Sequence, residues 1–413
     1  MKKMFLLGLT TLMTVTAMAQ EPKSQEQTKV EEGFIFTTVD SVAITPVKNQ
    51  KNAGTCWCYS ALGFMESEIL RKTGKTYDFS EMYIVYNTYM DRADKSIRMH
   101  GDASFSQGGS FYDVIYGMKT FGLVPDVEMP AGVMYGDSLS NHTELSAITE
   151  PFVAAIAKGN LNKLQSSPEG TPLWRKALEC IYDTYLGKRP TEFTYEGKTY
   201  TPKSFYESTG LKASDYISIT SFMHHPYSTG EHIGEGFVIE VQDNWRWASS
   251  LNFELDDMMR VFENAIKEGY TIAWGSDVSE EGFTRDGLAV YPDAEAAPDQ
   301  LGTDQARWLK LRRDERRSEL TKKPLKQKVC TPEERQLAYD NYETTDDHGM
   351  LIFGTAKDQE GNLYYMVKNS WGNAGKYNGI WYATPEFCRY KTVNIVVNKN
   401  AVPKDLRKKY GIK

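Results

Sequence analysis

Cysteine is scarce in this chain: five residues in 413, at positions 56, 58, 180, 330 and 388. A disulfide framework needs a denser, even-numbered set, so none is expected and at least one thiol stays free. Cys180 and Cys388 are read as small buried hydrophobes. Histidine is scarce too, with six residues and one adjacent pair, His224-His225. There is no CxxC and no HExxH, and a zinc site needs about four ligands. Neither a metal nor another cofactor is expected. A basic excess is missing, since the net charge is -7, which argues against nucleic acid as the main partner. Beyond the N-terminus no apolar run reaches membrane-spanning length, and there is no internal repeat or low-complexity tract.

What is present begins with MKKMFLLGLTTLMTVTAMAQ. Lys2 and Lys3, an apolar stretch and Ala17-Met18-Ala19 follow the order of a secretory signal peptide, residues 1–19. The mature protein is therefore expected to be exported, periplasmic or secreted, with residues 20–32 a polar, flexible lead-in. Residues 33–130 carry helical patterns. One follows Cys56, with Cys58, Leu62, Met65 and Ile69 at helical spacing and Gly74 placed to end it; another starts at an N-cap, Ser80. Residues 131–230 mix short helical patterns with turns and read as an insertion. Residues 231–413 hold one more helix, DDMMRVFENAIKEG, and then strand periods, among them YTIAWGSDV and HGMLIFGTAKDQEGNLYYMVKNSW. A basic insertion near 300–330 is read as a solvated helix face. Helices early and strands late predict an α+β protein with a helical lobe and a β lobe.

The stretch NQKNAGTCWCYSAL raises the chemical question. A redox pair needs a wider cysteine spacing, and the ligand count argues against zinc. A thiol at the first turn of a helix has its thiolate favoured by the positive end of the macrodipole, and a neighbouring imidazole would activate it further. The chain resembles papain-like cysteine peptidases at Gln50, Gly54-Thr55-Cys56-Trp57, Asp347-His348-Gly349 and Lys368-Asn369-Ser370-Trp371-Gly372. The resemblance implies a two-lobe fold with a cleft, peptide substrates and a role for each residue. Cys56 is the nucleophile, His348 its proton partner, and Asn369 holds the imidazole. Trp371 shields that bond, and Gln50 with the Cys56 N–H forms an oxyanion hole. Gly108-Gly109 resembles the stretch whose bare backbone pairs with an extended substrate.

Three departures point within that family to the bleomycin hydrolase, or aminopeptidase C, branch. Ala53 replaces a disulfide cysteine. His348 lies roughly 290 residues beyond Cys56, about twice the papain spacing. About 36 residues separate the expected cleavage from Cys56, too few for an inhibitory propeptide. DFSEMYIVY, GGSFYDVIYGMKTFGLVP, GYTIAWGSDV and VVNKNAVPKDL extend the likeness. The branch implies a homohexamer with inward-facing sites and a C-terminal arm whose carboxylate receives the substrate amine. Here KDLRKKYGIK follows Pro403, a tail that is shorter and basic. An aminopeptidase is expected, with an endopeptidase or a peptidase-fold binding protein as alternatives.

Overall fold

The computed structural model describes residues 33–159, 161–225, 232–293 and 312–413. The expected signal peptide, the lead-in at 20–32 and the first part of the basic insertion lie outside the described residues. Strand β1 (Thr37–Ser41) precedes three helices, α1 (Cys56–Thr73), α2 (Glu81–Arg98) and α3 (Phe111–Thr120). Helix α1 is buried on all sides from Trp57 to Ile69, its polar Ser60, Glu66, Ser67 and Glu68 included, which makes it the central helix of the molecule. Its Thr55 N-cap makes no side-chain bond and its first turn holds no acid, so the positive end of the helix dipole is left uncompensated at Cys56. Gly74 closes it in the left-handed conformation, φ 70°, which costs a glycine nothing. Ser80 Oγ accepts from the Tyr83 N–H, 3.1 Å, and caps α2.

Residues 131–215 add α4 (Thr143–Lys158), α5 (Leu173–Tyr185), a hairpin of β2 (Phe193–Tyr195) and β3 (Lys198–Tyr200), and α6 (Pro202–Ser208). Trp174, Leu178 and Tyr182 form the buried stripe of α5. Cys180 falls off that stripe and is exposed, correcting its expected burial. Cys58 and Cys388 are fully buried.

The rest builds a ten-stranded mixed sheet with β4 (Tyr216–Thr220), β5 (Gly236–Val238), β6 (Ser249–Asn252), helix α7 (Leu255–Lys267), β7 (Ile272–Ser276) and β8 (Leu288–Ala289). Helices Arg313–Leu320 (α8) and Pro332–Asp340 (α9) follow. Then come β9 (His348–Lys357), β10 (Leu363–Lys368), β11 (Ile380–Ala383), α10 (Pro385–Lys391), β12 (Thr392–Asn398) and α11 (Lys404–Lys409). The order is β5-β6-β4-β12-β7-β9-β10-β11-β8, with β1 on the far half of β9. Two cores flank the sheet: α1, α2 and the helices of 131–215 pack on one face, and α7 with α10 and α11 on the other. Nine of the ten β9 residues are buried, as expected of a strand covered on both faces. In the basic segment, α8 docks through buried Leu320 and an Arg316–Glu281 ion pair of 2.5 Å.

The C-terminal residues are tied to α7. The Tyr410 ring stacks on Phe253 at 3.7 Å, its hydroxyl bonds Asp257, and Lys409 pairs with Asp257 and Glu254. No described helix is long and apolar enough to cross a membrane.

Candidate active site

Two element starts meet at one cleft. Cys56 opens α1, His348 opens β9, and both line a cavity of about 390 Å³. The backbone amides of Gly349 and Trp57 bear on the Cys56 thiol and draw its pKa down, so the sulfur lies beside the residue that follows His348. Ser60 Oγ donates to the Cys56 carbonyl, 2.6 Å, and fixes the first turn. His348 is 6% exposed and sits 2.8 Å from Asn369 through Nε2 and Oδ1. The Ser370 N–H also donates to that oxygen, 2.7 Å. A carbonyl oxygen only accepts, so Nε2 carries the proton and Nδ1 keeps the lone pair. Nδ1 has no partner among the described residues. The Trp371 ring stacks on the imidazole at 4.7 Å and is itself held edge-on by Trp381 at 5.3 Å.

Gln50 reaches the same cleft from the loop before α1. Its N–H donates to the Ser370 carbonyl, its Oε1 accepts from Ser370 Oγ at 2.5 Å, and its Nε2 donates to Ala53 O at 2.7 Å. These bonds fix which way the amide faces and leave one Nε2 hydrogen for the cleft. Gln107 ties the nucleophile loop to the Gly-Gly stretch, accepting from Gly54 N and from Trp57 Nε1. Gly109 lies flat on Trp57; an added Cβ would stand 2.8 Å from the ring. Gly108 is placed differently from the expectation that both glycines offer free backbone. Its carbonyl accepts from Arg92, and the Asp243 carboxylate rests against it.

Burial, with the Asp346 and Asp243 carboxylates adding to it, pushes the Cys56 thiol up to about 12 against the pull of the two amides. Burial also pushes the His348 imidazole down to about 4, against the Asn369 bond and the Asp347 charge. Burial first and the bond to Asp347 second raise Asp277 to about 7, against the pull of the Lys391 ammonium. The shared proton therefore rests on Asp277. Asp347 stays ionised, held below its usual range by bonds from Asp277, Ser279 and Thr345 that outweigh its own burial. No three His, Cys, Asp or Glu among the described residues are grouped to hold a metal ion.

Sequence reasoning identified Gln50, Cys56, Gly108, Gly109, His348, Asn369 and Trp371, and the structure brings all seven to the cleft or its wall. It missed Asp243, Asp346 and Ser370. Asp346 stood two positions before His348 and could have been weighed; nothing local marks Asp243.

Comparison with known proteins agrees with this arrangement. The profile of the Peptidase C1-like family matches residues 9–305 and 326–413. Aminopeptidase C of Lactobacillus delbrueckii subsp. lactis is 24% identical over 93% of this chain and 86% of its own length. Aminopeptidase C of Streptococcus thermophilus is 22% identical over 91% and 84%. Aminopeptidase G of L. delbrueckii subsp. lactis is 23% identical over 87% and 82%. Among solved structures, PepW from Lactobacillus rhamnosis superposes with a TM-score of 0.62 at 18% identity, covering 91% of this chain and 86% of PepW.

Proposed function

The chain belongs to the Peptidase C1-like family and is a papain-like, cysteine-type peptidase of α+β fold, and from that premise we propose that it is an exported aminopeptidase acting through Cys56, His348 and Asn369. The observation that carries the reading is the single free nitrogen of His348. Nε2 is committed to Asn369, so Nδ1 is the base available to a thiol on the same cleft.

Taken singly, burial disfavours both the thiolate and the imidazolium. Moving the thiol proton to Nδ1 creates the two charges together, and their attraction in a low-dielectric cleft favours the pair. The thiolate then attacks the carbonyl carbon of the substrate. The resulting oxyanion is received by the Cys56 N–H and Gln50 Nε2, each worth about 3 kcal/mol. The imidazolium returns its proton to the departing amine as the C–N bond breaks, leaving a thioester on Cys56. Water, deprotonated by His348, hydrolyses the thioester and restores the thiol. Asn369 and the Trp371 ring keep the imidazole in plane throughout.

Cys56→Ala should abolish hydrolysis of aminoacyl reporters with an unchanged thermal melt; full activity in that protein removes the nucleophile. Exopeptidase action is read from a peptide and its N-acetylated twin: cleavage inside the blocked chain overturns it. One observation favours the endopeptidase reading. Residues 404–413 are held on α7, and none of them lines the cleft. Export is supported by the composition of residues 1–19 and is tested by N-terminal sequencing of the mature protein. Assembly into a closed oligomer rests on the family resemblance, and a monomer in sedimentation would overturn it.

A further inference from the structure

An aminopeptidase cleft has to recognise a substrate's free amine, and none of residues 404–413 lines this one. The cleft carries charge of one sign: Asp243, Asp346 and Asp347 line it, and among the described residues no lysine or arginine does. Asp347 is engaged by Ser279 and Thr345. Asp346 has no hydrogen bond and no ion pair among the described residues, and its surroundings are enclosed enough that burial, with Asp243 and Asp347 beside it, holds its carboxyl at about 7. Among the described residues Asp243 is hydrogen-bonded only by Arg92, through Oδ1 at 3.4 Å. That guanidinium is wholly buried, and its shorter bonds go to the backbone and hydroxyl of Ser104 and to Gly108 O. Asp243 Oδ2 has no donor among the described residues. Carboxylates so placed are costly unless a cation joins them.

The same aspartate stops the cleft. Gly109 keeps its N–H and C=O free of protein partners among the described residues, so an extended substrate can pair there. One residue further, the Gly108 carbonyl is taken by Arg92, and a methyl group at 108 would collide with the Asp243 carboxylate. Backbone pairing therefore ends where the carboxylates of Asp243, held at one oxygen by Arg92, and Asp346 begin.

We propose that Asp346 and Asp243 form an anionic end-stop that holds the terminal ammonium of the peptide, so that the chain is read from its first residues. This rests on the aminopeptidase reading and supplies the device by which the cleft would enforce it.

Binding can be tested without turnover. In the Cys56→Ala protein, calorimetric titration with a short peptide of neutral side chains should give at least tenfold tighter binding than its N-acetylated twin. Asp346→Asn and Asp243→Asn, added singly, should each remove most of that preference, and Asp346→Glu should retain part of it. In the active enzyme, Asp346→Asn should raise KM for an unblocked reporter about tenfold with kcat little changed. Thermal melts of each variant report on folding, and the Glu variant keeps the test decisive if one Asn variant is unstable. Equal binding of the twins, or a preference surviving both Asn substitutions, overturns the proposal. So does a loss confined to an N-acetylated peptide with lysine at its first position, since the site would then read a side chain. Because binding is measured without the nucleophile, a missing amine preference leaves the peptidase reading standing. An inactive wild-type enzyme would fail that reading while the amine preference could still be measured.

Discussion

Removing the Gln50 amide separates transition-state stabilisation from ordinary binding. Gln50→Ala deletes the Nε2 donor facing the cleft together with two structural bonds, Nε2 to Ala53 O and Ser370 Oγ to Oε1. The structural bonds are worth about 1 kcal/mol each, so a stability loss of about 2 kcal/mol is expected. The catalytic donor is worth about 3 kcal/mol, which lowers kcat by about a hundredfold. A bond made only to the oxyanion lowers kcat and kcat/KM together and leaves KM alone. Ser370→Ala is the control: it unpins the amide without deleting it and should cost about fivefold, in line with one bond of about 1 kcal/mol. Steady-state kinetics on an unblocked reporter, with melts alongside, measure both. A raised KM at unchanged kcat for Gln50→Ala would show that the amide binds the ground state, and the oxyanion-hole reasoning would be wrong.

Further predictions follow from the cleft and its supports. Gly109→Ala places a Cβ 2.8 Å from the Trp57 ring; it should raise KM several-fold by moving the free backbone, and an unchanged KM would show that this backbone does not pair with substrate. Asp277 has a folded pKa of about 7, above its ordinary value of 3.8, so the folded state binds more protons and this contribution to stability is lost as pH rises from about 4 through 7. Asp277→Asn, which mimics the protonated form, should therefore gain melting temperature on wild type as pH goes from 4 to 7; a constant difference would contradict the shared proton. Ser80→Ala removes the α2 cap and leaves the Met129 carbonyl without its 2.5 Å donor, for a loss of about 1–2 kcal/mol in denaturant unfolding.

Much of the site was legible because it lies at element boundaries with local chemistry. The apolar spacing after Cys56, the Gly74 stop and the Ser80 cap are short-range signals; α1 begins and ends, and α2 begins, where they indicate, while α2 runs on to Arg98. His348 and Asn369 sit at the start of β9 and just after β10, at the edges of buried apolar runs. The strand order was not legible. Tyr216–Thr220 joins β12 across nearly the whole C-terminal half of the chain, a pairing set by tertiary packing and by no local pattern. The end of the cleft was hidden for the same reason, since Asp243 and Arg92 meet Gly108 from distant segments. Cys180 was misjudged because residue type was weighed over its position on α5, where the stripe of 174, 178 and 182 leaves it outside.

The central claim is that the Cys56 sulfur shares its proton with His348, and the pH profile of thiol alkylation tests it most directly. With a neutral haloacetamide, Cys56 in the wild-type protein should react at nearly constant rate from about pH 5 to 8, as a thiolate paired with imidazolium does. In His348→Ala burial and the neighbouring carboxylates outweigh the two amides that act on the thiol, so its reactivity should be low at neutral pH and rise only above about 8.5. Superimposable profiles for the two proteins would contradict the account.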